Sequence, residues 1–220
     1  MKRKKNETPT VLSEEEWQNR SLERFKPYLD EQQYKLQLEE LRHPLLPTIR
    51  LNPLKMDLST AKGMAERYHW EMEPISFCPT GFRIHQQEGS TPVSQTLEHR
   101  MGCYYIQEAA SMLPVELFHF GEGSHEICLD LAASPGGKTT HLVARGMDQN
   151  LVIANDSSAG RIPALNIVLH NWGAVNTAIT QFPGEKYGMW YPETFDRVLI
   201  DAPCSMQGLR TLESHEIRPV

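Results

Sequence analysis

The sequence predicts an α/β protein whose second half contains a doubly wound, Rossmann-like parallel sheet. After Arg100 there are four short apolar segments, and helical patterns at 138–145 and 159–170 separate the first three of them. Continuous apolar strands that alternate with helices are typical of a parallel sheet covered on both faces. The predicted strands lie at residues 127–132, 151–154, 176–180 and 197–201, and a further helix is predicted at 106–118.

The first half predicts a smaller α+β domain. Residues 13–41 carry apolar side chains at roughly helical spacing and predict two amphipathic helices that break near Pro27. The segments "TIRLN" and "EMEPISF" predict two strands, and a helix predicted at 59–68 lies between them, so we expect a compact βαβ-like unit. The predicted domains are residues 1–98 and 99–220, with a polar loop at 86–96 before the boundary.

Composition excludes several classes of protein. The formal net charge of −6 is not typical of a protein that coats nucleic acid, and no segment approaches the roughly 20 apolar residues that cross a bilayer. The histidines show no metal-ligand spacing, so we expect no metal site. The cysteines form no Cys-x-x-Cys pair, which predicts neither a zinc site nor a disulfide framework and favours a reducing cytoplasm. They are Cys78, Cys103, Cys128 and Cys204.

The first predicted strand of the second half runs into a glycine turn, "DLAASPGGKTTHL". In parallel sheets, ligands bind at the carboxyl ends of the strands, where helix N-termini offer free N–H groups. One alternative is a phosphate-binding loop, which requires Gly, four residues, and then Gly-Lys-Ser/Thr. The end of that pattern is present at Gly137 and Lys138, but Ala132 occupies the position of the leading glycine. Ala132 and Pro135 hamper the wrapping of the backbone around phosphates.

The other alternative is a site for a ligand that carries a ribose. Asp156 follows the second strand, and 156 − 136 = 20 residues separate it from Gly136, the spacing at which an acid binds ribose hydroxyls. Asp130 adds negative charge near the turn, which suits a cationic ligand. S-adenosylmethionine combines a ribose, a carboxylate and a sulfonium, and its methionyl end would lie on the amides of Gly136 and Gly137. We expect Asp156→Ala to abolish its binding and to leave the fold intact, because an acid at a strand end is not part of the core.

Two reactive residues follow the fourth strand in "RVLIDAPCS". A thiolate that adds to C6 of cytosine turns the ring into an enamine, whose C5 then accepts a methyl group. The Cys204 thiol therefore suggests carbon methylation of a pyrimidine, and Asp201 would bind the N3/N4 edge of the flipped base. A free cysteine is more often a small buried hydrophobic residue. Its place directly after Asp201 favours a function for Cys204.

Four motifs occur together: "GCYYIQEAASMLP", "DLAASPGGKTTHL", "ANDSSAGR" and "DAPCS". With "IRLNPLK" and "YHWEMEPISFCPTGF" before them, the chain resembles the Sun-type family of RNA cytosine-5 methyltransferases, especially the bacterial branch that acts on ribosomal RNA. The resemblance implies that the match of Asp156 holds the ribose, that the match of Asp201 lies at cofactor and base, and that the first half binds RNA. It also implies that the cofactor is cradled by Ala132, Ala133, Ser134, Pro135, Gly136, Gly137 and Lys138.

The sequence departs from this family at three places. Pro183 replaces an aspartate that contacts the adenine of the cofactor, and Met206 lies in a loop that reads Ser-Gly-Glu-Gly in the family. The family's nucleophile is a second cysteine on a later strand, which the resemblance places beyond Val220, and this implies that Cys204 assists product release. DNA cytosine-5 methyltransferases attack with a Pro-Cys at this strand, so attack by Cys204 is an alternative.

The predicted sheet holds only the first four strands, and a further segment or a partner is expected to cover the apolar edge of the fourth. Three functions follow as alternatives: an RNA cytosine-5 methyltransferase, a non-catalytic module that binds RNA or cofactor, and a P-loop enzyme.

Overall fold

The computed structural model describes residues 25–40, 45–121, 123 and 125–202. Two compact units divide the chain: one is Leu46–Ala202, and the other comprises Met1–Leu45 and Pro203–Val220. Cys204, Met206 and the part of the first predicted helix before residue 25 lie outside the described residues.

In the second of these units, the described residues form a 3₁₀ turn at Lys26–Tyr28 and a helix, α1, at Glu31–Glu40. Asp30 and Gln33 form a capping box at the start of the helix. The Gln33 amide donates to Asp30 Oδ1 at 2.8 Å, and the Asp30 amide donates to Gln33 Oε1 at 3.0 Å. The chain therefore turns at Pro27 and begins a helix four residues later, which agrees with the second of the two predicted helices.

The unit Leu46–Ala202 contains two four-stranded sheets. The elements around the first sheet are β1 (Thr48–Leu51), α2 (Leu58–Tyr68), β2 (Trp70–Ile75), β3 (Cys78–Gln86), α3 (Leu97–Arg100), β4 (Tyr104–Ile106) and α4 (Ala109–Glu116). Those around the second are β5 (Ile127–Asp130), α5 (Gly137–Arg145), β6 (Leu151–Asn155), α6 (Ile162–Trp172), β7 (Thr177–Thr180), α7 (Tyr187–Trp190) and β8 (Arg197–Leu199).

Neighbouring strands of the first sheet are antiparallel. Because β1 and β2 both run opposite to β3, they are parallel to each other with α2 between them in the chain, so the predicted βαβ-like unit is present in split form. The strand order of this sheet is β2-β3-β1-β4, and β3 lies between the two strands that were expected to be neighbours. A two-residue turn at 76–77 folds β3 directly back onto β2, which pairs Ile75 with Cys78. Pro79 and Gly81 are poor strand residues and hide β3 in the sequence. At the centre of the sheet, Ile49 pairs with Phe82 on one side and with Ile106 on the other.

The start of the predicted helix at 106–118 also differs from the structure. Residues 104–106 form β4, and the helix α4 begins only at Ala109. Because β4 pairs with β1, the first sheet takes a strand from beyond residue 98. The division into domains at that residue stays a proposal.

The second sheet is parallel throughout, which confirms the prediction from the four apolar segments. Its order is β7-β6-β5-β8, with Leu129 of β5 aligned with Ile153 of β6 and with Val198 of β8. The carboxyl ends of the four strands therefore share one edge. Among the described strands, β8 pairs only with β5. No helix of the described part is both long and apolar enough to cross a membrane.

Each sheet has its own buried apolar core. The first core includes Ile49, Met64, Ile84 and Tyr104, and the second includes Cys128, Leu142, Val152 and Trp172. Arg50 and His141 are fully buried polar exceptions in these layers.

Candidate functional site

The turn after β5 is held against the tip of β6. The Ala133 amide donates to the Asn155 carbonyl at 2.7 Å, and the Ser134 amide donates to Asp156 Oδ2 at 3.2 Å. Asp156 and the turn, which the sequence predicts to share a site, are therefore in direct contact. The contacts place the turn at the carboxyl edge of the sheet, where the helix α5 begins at Gly137.

Gly136 is required where the turn enters α5. Its φ of +113° is a backbone conformation that L side chains rarely adopt. A Cβ atom there would lie 2.8 Å from Val168 Cγ1 and 3.2 Å from Leu165 Cδ1, both on α6. The close approach of α6 thus excludes any side chain at this position. Gly136 is also the N-cap, so no side chain there accepts the first amides of α5, and they remain available to a ligand.

Asp156 is buried, with 2 % of its surface exposed, so the premise that it lies outside the packed interior is wrong. Its Oδ1 accepts from the Ser158 amide at 2.9 Å, and its Oδ2 accepts from the Ser134 amide and pairs with Arg161 Nη1 at 3.2 Å. Arg161 also donates to the Ser134 carbonyl, which closes a ring of contacts around the turn. A carboxylate offers about four lone-pair positions, and three of them are in use.

A second acid contacts the other end of the turn. Lys138 Nζ lies 2.7 Å from Asp201 Oδ2, and the Asp201 side chain is 56 % exposed. The hydroxyl of Thr139 donates to Asp130 Oδ2 at 2.7 Å. In a P-loop the lysine would meet phosphates and the Thr139 hydroxyl would bind Mg²⁺. Because both groups are engaged by carboxylates, the geometry disfavours the P-loop alternative.

Asp130 is a second buried acid of the site. Burial raises the pKa of its carboxyl to about 6, against the opposing effects of the Thr139 hydrogen bond and the Lys138 charge, while the charge of Asp201 raises it further. At neutral pH the side chain is ionised, in a setting with little water to screen it. A cationic ligand at the turn would be stabilised by this charge.

Asn155 ties three strand ends together, a role that sequence reasoning missed. Its Nδ2 donates to the carbonyls of Leu131 and Phe182 at 3.0 Å each, and its Oδ1 accepts from the Phe182 amide at 2.9 Å. The loop after β7 is thereby fixed beside the turn. An amide residue at the end of an apolar strand is the signal that could have revealed it. Pro183, the departure from the family pattern, follows directly after Phe182.

The structure brings the predicted cofactor residues together along one continuous path. Ala132, Ala133 and Ser134 lead from β5, Pro135 is exposed, and Gly136, Gly137 and Lys138 open α5. Asp156 touches the beginning of this path and Asp201 its end. The role of each of these residues stays a prediction, and Cys204 lies outside the described residues.

A second polar cluster lies between α4 and α5. Cys78, Glu116 and His141 place their ligand atoms within 4.8 Å of one another, yet Arg145 Nη1 lies 3.5 Å from Glu116 Oε2. A metal-bound histidine usually donates its other ring nitrogen, and His141 Nδ1 has no partner among the described residues. The cluster is better described as a hydrogen-bond network than as a metal site. The expected absence of a metal stays a prediction.

His141 should make stability sensitive to acid. Burial lowers the pKa of its imidazole to about 4, with the Glu116 hydrogen bond opposing the shift and Arg50 and Arg145 adding to it. Because the folded pKa lies below that of the unfolded chain, stability is lost as pH falls from about 6.5 towards 4. We expect protonation of His141 to lower the free energy of unfolding by about 2–3 kcal/mol across that window.

Urea titrations between pH 7 and pH 4.5, with His141→Gln as the comparison, measure this effect. The variant should lose less stability on acidification than the unchanged chain, because groups common to both cancel. Parallel curves for the two proteins would show that His141 is not buried in its neutral form.

Curated relatives align with most of this chain. It is 41 % identical to ribosomal RNA small subunit methyltransferase F of Vibrio vulnificus (strain YJ016) over 167 residues, which are 76 % of this chain and 35 % of that protein. It is 43 % identical to the protein of the same name from Pectobacterium atrosepticum over 170 residues, again 76 % and 35 %. The chain thus spans about a third of the length of these relatives.

Solved structures share the fold. A methyltransferase homologue from Pyrococcus horikoshii is 26 % identical, with a TM-score of 0.73 over 89 % of this chain and 66 % of its own. NSun6 from the same organism, solved with SFG, has a TM-score of 0.69 over 90 % of this chain and 71 % of its own. At 16 % identity the second likeness concerns the fold alone.

Two family models match the chain in succession. The N-terminal domain of 16S rRNA methyltransferase RsmF matches residues 19–109, and 16S rRNA methyltransferase RsmB/F matches residues 120–218. The parallel sheet, the glycine turn and the two acids at its ends all lie within the second match. With both domains matched in order and relatives 41 % and 43 % identical, the chain belongs to the RsmB/F family of 16S rRNA methyltransferases.

Proposed function

We propose that this chain serves in the S-adenosylmethionine-dependent methylation of cytosine C5 in ribosomal RNA. The observation that carries the proposal is the contact of one glycine turn with two acids, Asp156 at its start and Asp201 at its end. Family membership supports the reaction class, and the thiol of Cys204 supports a carbon of a pyrimidine as the methyl acceptor.

The site residues suit this donor. Asp156 would hold the ribose hydroxyls, and the open amides at the start of α5 would hold the methionyl carboxylate. Asp130 would balance the positive charge. S-adenosylmethionine supplies an electrophilic methyl group on a sulfonium. Since Arg161 occupies a lone pair of Asp156 and is 49 % exposed, it is the partner that can move to admit a ribose.

Asp201 would act on the base. It is exposed at the carboxyl edge and is held by Lys138, which orients the carboxylate. Such a carboxylate can hydrogen-bond the N3/N4 edge of a flipped cytosine. Cys204, three residues further on, would assist release of the product or attack C6. We also propose that residues 1–98 bind RNA and that 99–220 form part of the catalytic domain.

A non-catalytic role is the second candidate. Pro183 has no amide proton and no polar side chain, so it offers adenine neither of the contacts that an aspartate would. A module that binds RNA without the donor would be expected if this loss removed cofactor binding.

Calorimetry on the 220-residue chain with S-adenosylmethionine, S-adenosylhomocysteine and Mg-ATP separates these functions. We expect both sulfur ligands to bind and ATP not to bind. Incubation with methyl-labelled donor and 16S rRNA, followed by digestion to nucleosides, then identifies the acceptor atom. Label on a nitrogen or a ribose would overturn the C5 assignment, and binding of ATP alone would overturn the donor.

Asp156→Asn tests the ribose assignment with less damage than alanine. The amide oxygen can still accept from the Ser158 amide, but the charge and the acceptor of the Ser134 amide are lost. We expect affinity for S-adenosylhomocysteine to fall about 10- to 100-fold, equivalent to about 1.4–2.8 kcal/mol. Methionine serves as the control ligand, since it has no ribose. Unchanged affinity for S-adenosylhomocysteine would remove Asp156 from the site.

A further inference from the structure

Arg50 is a charged residue at the centre of the first sheet, yet none of its surface is exposed. Its Nε donates to Gln107 Oε1 at 3.0 Å, and its guanidinium carbon lies 4.7 Å from the centre of the Trp172 ring. Burial lowers the pKa of this group to about 9, so it still carries its charge at neutral pH. Burying a charged group is costly, so its location calls for an explanation.

The side chain reaches out of its own sheet to the glycine turn of the other. Arg50 Nη2 donates to the Gly137 carbonyl at 3.0 Å and to the Thr140 hydroxyl at 2.8 Å. That hydroxyl in turn donates to the Gly136 carbonyl at 2.8 Å. Arg50 therefore holds one glycine carbonyl directly and the other through Thr140.

Fixing these carbonyls also fixes the amides that face a ligand. In a trans peptide the C=O and the N–H of one plane point in opposite directions. The carbonyl of Gly136 shares its plane with the Gly137 amide, and that of Gly137 shares its plane with the Lys138 amide. With both carbonyls drawn towards Arg50, the two amides are directed away from it.

Stability alone does not account for this arrangement. Arg50 Nη1 has no hydrogen-bond partner among the described residues. A buried donor without a partner lowers stability, and apolar residues of similar size often replace buried charges without loss. The Tyr105 ring also limits the turn, since a Cβ on Gly137 would lie 3.1 Å from its Cε1 atom. Residues of the first sheet thus surround the back of the turn.

We propose that Arg50 is a positioning residue for the methyl-donor site, which aims the Gly137 and Lys138 amides from behind. The inference rests on the proposed function, because it assigns these amides to the donor. The first sheet is then a structural part of the cofactor site as well as a candidate RNA-binding element.

Arg50→Lys is the decisive variant, since it keeps the charge and loses the planar fork that reaches Gly137 and Thr140 together. Lys55→Met is the matched control. Lys55 lies in the turn after β1 and donates to the carbonyls of Met101 at 2.8 Å and of Asn171, near the end of α6, at 2.5 Å, and neither bond involves the glycine turn. Urea unfolding at several temperatures first identifies a temperature at which every variant of the 220-residue chain is folded.

At that temperature we expect Arg50→Lys to bind S-adenosylhomocysteine at least ten-fold more weakly, and Lys55→Met to bind within two-fold of the unchanged chain. In ligand-free NMR spectra, the amide signals of Gly137 and Lys138 should shift in the first variant and stay in place in the second. Thr140→Val removes the hydroxyl that links Arg50 to the Gly136 carbonyl and keeps the direct bond from Arg50 to the Gly137 carbonyl. It should weaken binding about three- to five-fold, and it tests the proposal if Arg50→Lys does not fold.

Unmoved amide signals, or equal affinities for the lysine variant and the control, would overturn the positioning role. If the unchanged chain binds no S-adenosylhomocysteine, the proposed function fails instead, and the amide signals still decide whether Arg50 aims the turn.

Discussion

Replacing Gly136 by alanine is expected to abolish donor binding and to lower the free energy of unfolding by about 2–4 kcal/mol. Two costs add here. The φ of +113° is strained for any L residue, and the new methyl group would lie 2.8 Å from Val168 Cγ1. Relief requires α6 to move away from the turn, which also displaces Arg161, the N-cap of α6, from its contacts with Asp156 and Ser134.

Urea unfolding and calorimetry with S-adenosylhomocysteine measure both losses. Gly160→Ala is the control, because only Ser158 Oγ at 3.9 Å lies near its Cβ position, and its stability should change by less than about 0.5 kcal/mol. In the double variant Gly136→Ala/Val168→Ala, the clash with Val168 is removed, so the part of the stability loss that comes from the clash should be recovered and the part that comes from backbone strain should remain. A Gly136→Ala protein as stable as the parent would show that the turn tolerates a side chain.

Asp130→Asn is expected to weaken binding of S-adenosylmethionine by roughly 10- to 100-fold, because a buried unit charge near a cation contributes about 1–3 kcal/mol. Asparagine can still accept from the Thr139 hydroxyl, so the turn keeps its local contact. The effect should be smaller for S-adenosylhomocysteine, which lacks the sulfonium charge. Glu185→Gln, which removes an exposed acid, should change neither affinity.

Protonation of the Asp130 carboxyl should have opposite effects on ligand binding and on stability. Its pKa of about 6 in the folded chain lies above the unfolded value, so protonation on acidification favours the folded state. Compared with Asp130→Asn, the unchanged chain should gain up to about 2–3 kcal/mol of stability as pH falls from 7 to 4. Its affinity for S-adenosylmethionine should decline over the upper part of that range. Equal slopes for both proteins in both measurements would contradict the buried charge.

Local pattern and tertiary packing contributed differently to this fold. The four apolar segments predicted the parallel sheet, because strands that are buried on both faces must be apolar along their whole length. The antiparallel sheet was not predictable in the same way. Its arrangement depends on β3, whose Pro79 and Gly81 obscure the strand pattern, and on β4, whose residues pair with residues of β1 that lie 53 to 57 positions earlier in the chain.

The candidate site shows the same division. Gly136, Asp156 and Asp201 could be selected from the sequence, since each lies at the end of an apolar segment or within four residues after it, and these ends must lie at the binding edge. Nothing in their spacing indicated that Arg161 pairs with Asp156, that Asn155 fixes Phe182, or that Asp130 is buried deeply enough to raise its pKa.

The sequence by itself determined the parallel sheet, the glycine turn and the acids at the strand ends, because these follow from local apolar runs and from short spacings. Only the tertiary structure decided that Arg50 lies behind the turn, 87 residues away along the chain from Gly137. The physical reason is that the partners of a buried charge are chosen by the packing of distant elements. No local pattern records that choice.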